Sequence, residues 1–339
     1  MTDRLATMPK VELHLHLEGS MSPETVRSLV DRHGTDADAE SIWPGGVPEV
    51  FSFADFPDFV RQYLFGLSLL RSADDLADTT ENLAIELARQ HVCYAEVTST
   101  AFTHFRGGMS TEEYRQGLDE GRRRASARGV EIGWVFDIPR DLEPAELTTT
   151  IDFVSATAPD GTVALGLTGL EVGFPPAPYA PHFARAKALG LGAVPHAGET
   201  DGPDAVRSAM DDLGADRIGH GISSIDDPEL IRRIVDEGLF LEVCPSSNAL
   251  LGVVPSLADH PLPELIAAGV RLCINTDDPG WFATDLMTEL GYGTSLFGID
   301  ERAHIRMQRD ALDASFATDH VRASIARELD EFESAGVTQ

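Results

Sequence analysis

Residues 11–17 read Val11-Glu12-Leu13-His14-Leu15-His16-Leu17, a run in which apolar and polar residues alternate strictly. Such alternation marks a β-strand, because successive side chains leave opposite faces of the pleat. It sends His14 and His16 to one side, inward if Leu13, Leu15 and Leu17 face covering helices. Seven more short apolar runs follow, at residues 93–100, 131–138, 162–168, 192–196, 217–220, 240–244 and 271–276. Helical patterns lie between them, for example at 111–127, 181–189, 228–237 and 263–268, several opened by Pro or by a capping Ser, Thr or Asp. Eight alternating βα units in 339 residues predict an α/β fold, a (β/α)8 TIM barrel.

The interval between the first two strands, residues 22–91, is unusually long and holds Phe51, Phe53, Phe56, Phe59, Tyr63 and Phe65. A helical insertion is expected there, and its aromatic residues either form a lid or pack an inserted helical pair onto the barrel. Extra helices are expected after the last strand. No repeat, low-complexity tract or Pro/Ser-rich linker divides the chain, so one domain over residues 1–339 is the expectation.

With 26 Lys+Arg against 56 Asp+Glu, the formal net charge is −30, which disfavours nucleic acid or any other polyanion as partner. The N-terminus lacks a signal-peptide apolar region, and no run approaches the ~20 apolar residues needed to span a bilayer. A cytoplasmic protein without membrane association is expected. Cys93, Cys244 and Cys273 form no CxxC pair and sit in apolar runs, which predicts reduced, strand-buried thiols. The sequence sets no oligomeric state.

Polar residues at the C-terminal ends of barrel strands converge on one mouth. His14 and His16 lie on the first strand, and His196 ends the fifth in Pro195-His196-Ala197-Gly198-Glu199. His220 ends the sixth in Gly219-His220-Gly221, and Asp277 and Asp278 end the eighth in Asn275-Thr276-Asp277-Asp278-Pro279. Neutral imidazoles with a carboxylate suit Zn²⁺, which keeps a position open for water in catalytic sites. Taken singly, a buried His is more often a packing residue and an Asp before Pro a turn residue. The conjunction at four strand ends is what points to a metal. His33, His91, His104, His182, His260, His304 and His320 lie in helices or loops and keep the packing role. Residues 162–171 contain no lysine that could be carboxylated to bridge two metals, so one metal is expected. The H-x-E and P-C-x-x-C pair of zinc cytidine deaminases and the helical H-E-x-x-H are both absent.

The set Met8-Pro9-Lys10-Val11-Glu12-Leu13-His14-Leu15-His16-Leu17-Glu18-Gly19-Ser20, His196-Ala197-Gly198-Glu199, Arg217-Ile218-Gly219-His220-Gly221, Cys244-Pro245-Ser246-Ser247-Asn248 and Asn275-Thr276-Asp277-Asp278-Pro279 resembles the adenosine deaminase family in order and spacing. The resemblance implies one Zn²⁺ per chain on His14, His16, His196 and Asp277, with its water lowered from a pKa of about 16 towards neutrality. It also implies that His220 positions that water and assists its deprotonation, and that Glu199 is the general acid/base that protonates N1 of a purine. Asp278 would bond N7, the backbone N–H of Gly169 would approach N3, and His16 and Glu18 complete the substrate contacts. Two departures bear on the substrate. Glu18 stands where adenosine deaminases usually place an Asp that contacts the ribose. The segment Gly166-Leu167-Thr168-Gly169-Leu170-Glu171 keeps Gly169 as in the nucleoside branch, yet Val172-Gly173-Phe174-Pro175-Pro176 resembles the adenine branch.

The expected reaction is removal of the 6-amino group of adenosine or 2′-deoxyadenosine, a small-molecule substrate. Free adenine is the alternative, as is a modified nucleoside such as aminodeoxyfutalosine or methylthioadenosine. A catalytically silent, growth-factor-like relative is disfavoured, because every implied metal and acid/base position is filled.

Overall fold

The eight apolar runs become eight strands in the computed structural model, which describes residues 2–54 and 56–336. They are β1 (Lys10–His16), β2 (Val92–Ser99), β3 (Glu131–Pro139), β4 (Thr162–Thr168), β5 (Gly192–Ala197), β6 (Arg217–His220), β7 (Phe240–Val243) and β8 (Arg271–Ile274). All neighbours pair in parallel in the order β1 to β8. The barrel closes through a short seam between β1 and the residues after β8. There the His16 N–H donates to the Asp277 carbonyl at 2.8 Å and the Asp277 N–H to the His14 carbonyl at 3.1 Å. One rung is supplied by a side chain, since the Leu13 N–H donates to Asn275 Oδ1 at 3.0 Å. The fold is thus a TIM barrel, as the alternating pattern predicts.

Alternation along β1 is less regular than the sequence suggests. A register shift between Glu12 and Leu15 breaks the pleat. His14 and His16 enter the barrel, but Glu12 leaves it: its Oε1 accepts from the Thr276 N–H (3.0 Å) and hydroxyl (2.6 Å). Glu12 lines a 580 Å³ cavity outside the sheet with Leu83 and Leu87 of the helix Ala73–Arg89.

The floor of the barrel is built around Arg217 on β6, which bonds Glu96 of β2 and Glu242 of β7. Phe316, from the C-terminal segment, lies under the Arg217 guanidinium at 4.4 Å and packs on the small inner cluster Val135, Ala164 and Val194. Paired with two carboxylates, this buried cation is satisfied. The C-terminal helices Glu301–Ala314 and Asp319–Gly336 follow β8, as expected.

The insertion holds three helices, Pro23–His33, Asp36–Ile42 and Phe56–Leu67, rather than a pair, before the barrel helix Ala73–Arg89. Ser22 caps the first by accepting from the Thr25 N–H at 3.2 Å, and Pro23 needs no donor at the first helical position. Its aromatic residues pack on the turn just after Asp278: Phe51 stacks on Trp281 at 4.2 Å, Tyr63 lies 5.8 Å from it, and Phe59 lies 5.4 Å from Phe282. The packing role is therefore present, and it covers the mouth side of the barrel. The Phe56 side chain lies outside the described residues. Among the described residues the three thiols are free, Cys244 and Cys273 buried and Cys93 half-buried. No described helix is long and apolar enough to cross a membrane.

Candidate active site

His14 and His16 of β1, His196 of β5 and Asp277 after β8 meet at the C-terminal mouth, with ligand atoms all within 4.8 Å of one another. The Nε2 atoms of His14 and His16 lie 3.4 and 3.3 Å from Asp277 Oδ1, and the His14 and His196 rings are 4.5 Å apart. His14 Nε2 and His196 Nδ1 are buried without a hydrogen-bond partner. Burial opposes charge on His14, yet the nearby Asp277 and Glu242 carboxylates push its pKa up to about 10. His16, opposed by burial in the same way, is pushed up to about 9 by Asp277 and Asp278. The cluster calls for positive charge, and three imidazoles with one carboxylate are a donor set suited to a divalent transition metal. A second grouping adds Cys244 and His220 to His14 and Asp277. Burial and the neighbouring carboxylates push the Cys244 thiol well up, so it stays protonated and is the poorer ligand.

Surrounding groups orient these donors. Glu242 Oε2 takes the Nδ1 proton of His14 at 2.9 Å, which turns Nε2 towards Asp277, and Arg217 in turn holds Glu242. Ser247 donates to Asp277 Oδ2 at 2.6 Å. Asp277 (φ 65°) and His220 (φ 62°) are two of four described non-glycine residues with left-handed backbone. On β6, Arg217 and Gly219 face the barrel interior, so a regular pleat would turn His220 away; the left-handed turn brings its ring in. Gly219 has no room for a side chain, because a Cβ would sit 2.7 Å from His14 Cε1. Backbone strain of this kind persists where a site over-determines it.

The candidate acid/base groups stand beside this cluster. Glu199 Oε2 and Asp277 Oδ2 each lie 3.8 Å from His220 Nε2. Burial, then Asp277 and Glu171, hold the Glu199 carboxyl well above the usual range, which favours its protonated form. Asp278 is pushed up to about 8 by burial and the adjacent Asp277. Glu171 fixes the loop after β5: its carboxylate accepts from the backbone N–H groups of Gly198 (2.8 Å), Glu199 (2.9 Å) and Thr200 (3.3 Å).

A relay sets the state of His220. The Leu262 N–H donates to His260 Nδ1 (3.0 Å), His260 Nε2 then donates to Asn248 Oδ1 (3.1 Å), and the Asn248 amide donates to His220 Nδ1 (3.2 Å). Burial pulls His260 down to about 4 and His220 down to about 3, so both rings are neutral. This network assigns the His220 proton to Nε2, on the side of Glu199 and Asp277.

Gly169 follows β4 at φ 89°, a left-handed turn that needs glycine, with Arg140 N the nearest atom a Cβ would meet, at 3.6 Å. Glu18 is wholly buried and turned to β2: its Oε1 accepts from Ser99 Oγ (2.6 Å), the Thr100 N–H (3.3 Å) and His104 Nε2 (2.8 Å). His104 and His260, read from sequence as packing residues, therefore each serve a site residue. Glu171 and Asn248 were inside the quoted motifs without a role. Asp137, at the end of β3, carried no signal beyond being a charged residue near the end of an apolar run.

The family model described as adenosine deaminase matches residues 9–332. The chain is 40% identical to an aminodeoxyfutalosine deaminase of Streptomyces avermitilis, over 98% of this chain and 93% of that protein. It is 36% identical to an adenine deaminase of Chelativorans sp., over 94% of this chain and 97% of that protein. Among solved structures, an adenine deaminase from Arthrobacter aurescens superposes with a TM-score of 0.87 at 28% identity, covering 96% of this chain and 99% of the other.

Proposed function

The chain belongs to the adenosine deaminase family, and on that premise we propose that it deaminates the adenine ring of a sugar-modified adenine nucleoside, of which aminodeoxyfutalosine is the leading candidate. The coarser activity, hydrolysis of an adenine C–N bond, is common to its named relatives. The observation that carries the reading is the pairing of Glu199, whose carboxyl is held well above its usual range, with the cluster of His14, His16, His196 and Asp277. One Zn²⁺ per chain, held by those four, would supply hydroxide at neutral pH.

The chain's own residues account for the rest. Attack at C6 places electrons on N1, and Glu199 gives N1 its proton while Glu171 keeps the Glu199 loop in register. His220, with its proton on Nε2, donates to the attacking oxygen and orients it rather than accepting its proton. Asp278 faces N7 and the Gly169 N–H faces N3. The hydroxyl proton of the C6 adduct passes to the amino nitrogen, the C6–N bond breaks, and ammonia leaves a 6-oxopurine.

The two relatives above are an aminodeoxyfutalosine deaminase and an adenine deaminase, so the weight moves from adenosine and 2′-deoxyadenosine to the modified nucleoside. Free adenine is the second reading, favoured by the adenine deaminases at 36% identity and by Glu18 being bonded away from the sugar side. The test is loss of adenine absorbance with release of ammonia for aminodeoxyfutalosine, methylthioadenosine, adenosine, 2′-deoxyadenosine and adenine. A highest kcat/KM on a nucleoside extended beyond its ribose supports the reading. A preference for adenine replaces it, and no turnover of any of the five removes it.

A further inference from the structure

Asp137 ends β3 on the inner face: Val135, two residues earlier, belongs to the inner cluster, and Asp137 pairs in register with Gly166, at which a Cβ would crowd the Asp137 Cβ at 3.3 Å. The residue is 1% exposed, yet neither carboxylate oxygen has a hydrogen-bond partner. Its charged and polar neighbours are Thr100, His16 and Glu18, with the Tyr63 and Tyr114 phenols also within electrostatic reach. Glu18 adds a third buried acceptor without a partner, Oε2, while its other oxygen is saturated by Ser99, Thr100 and His104. A buried polar atom left unpaired costs roughly 1–3 kcal/mol, and more when charged. Among the described residues no Lys or Arg bonds Asp137, so a ligand seated here must bring donors.

We infer that Asp137 is a subsite for the vicinal 2′,3′-hydroxyl pair of a substrate pentose. The inference rests on the proposed deamination, in which N3 faces Gly169 after β4 and the neighbouring N9 substituent then lies at the end of β3. The two unpartnered oxygens of one carboxylate match two adjacent hydroxyls, each O–H donating to one acceptor, whereas a free base presents no such pair. Asp137 is here a specificity-determining residue, and the chemistry at C6 proceeds without it.

The test uses product analogues that are not turned over. Binding of inosine, 2′,3′-dideoxyinosine and hypoxanthine is measured by calorimetry in the metal-loaded wild type, D137A and D137N. Wild type is expected to prefer inosine to the dideoxy analogue by roughly 10- to 100-fold, the range set by one or two unpaired buried acceptors. D137A should shrink that preference below about threefold, with hypoxanthine affinity and metal content unchanged and D137N intermediate. Removing an unpaired buried charge should also raise the Tm of the ligand-free protein. A preference that survives in D137A, an equal loss for all three ligands, or a fall in Tm would overturn the inference. These outcomes leave the activity panel untouched, so failure of this subsite and failure of the deamination reading are distinguishable.

Discussion

Replacing Glu171 by Gln probes how Glu199 is held without touching any metal-ligand candidate. The Glu171 carboxylate takes three backbone N–H groups, from Gly198, Glu199 and Thr200, at 2.8, 2.9 and 3.3 Å. Hydrogen bonds to a charged acceptor contribute roughly 1.5–3 kcal/mol and neutral ones roughly 0.5–1.5 kcal/mol, so neutralising it costs about 1 kcal/mol per bond. Over three bonds that is about 3 kcal/mol, which caps the fall in kcat near 10²-fold if all of it is felt in the placement of Glu199. Charge adds a second signature. Glu171 is one of the carboxylates that hold Glu199 up, after burial and Asp277. The rate needs Glu199 protonated, so activity is lost as pH rises through its pKa, and removing the Glu171 charge moves that alkaline limb to lower pH. The assay is kcat against pH for wild type and E171Q, with metal content measured on the same samples. A normal kcat with an unmoved limb refutes the reasoning, and so does a loss of activity that simply follows a loss of metal.

E199Q should retain its metal and lose about 10²- to 10⁴-fold in kcat, read in steady-state turnover of the best substrate. E242Q removes the carboxylate that orients His14, so metal affinity in a chelator competition should fall about 10- to 100-fold, with unchanged affinity contradicting the assignment. In G219A the new Cβ would lie 2.7 Å from His14 Cε1, so metal binding should collapse while circular dichroism still reports a folded barrel. Full metal occupancy in G219A would mean that β6 yields easily.

The barrel and the metal cluster were legible because both write themselves in period and position. His14, His16, His196 and Asp277 occupy strand ends, and strand ends of a parallel barrel share one mouth. What escaped acts through irregularity or through the backbone. Parity alone would keep Glu12 beside His14, and only the break between Glu12 and Leu15 separates them. His220 reaches the site by a left-handed turn that its residue type does not announce. Asn275 closes the barrel with a side chain in place of a peptide group, a substitution that no hydrophobic pattern encodes. Glu171 and Asn248 lie in recognisable motifs, but their partners are backbone amides and two histidine rings from distant turns. His104 seemed a lone helical histidine because its partner, Glu18, is 86 residues away.

The seam that closes the barrel joins residues made far apart in time. Leu13 and Asn275, which share one of its rungs, are 262 positions apart. His14 and His16 leave the ribosome long before their companion Asp277. A chain made only as far as β7 therefore carries the metal-ligand candidates His14, His16 and His196 with nothing to complete them, and a cation that needs all four groups is held only once the residues after β8 have been made. A cation held across that seam would rivet the first strand to the segment after the last. Chains stalled before β8 would remain metal-free and open, and a protease could tell them from finished molecules by that open edge alone.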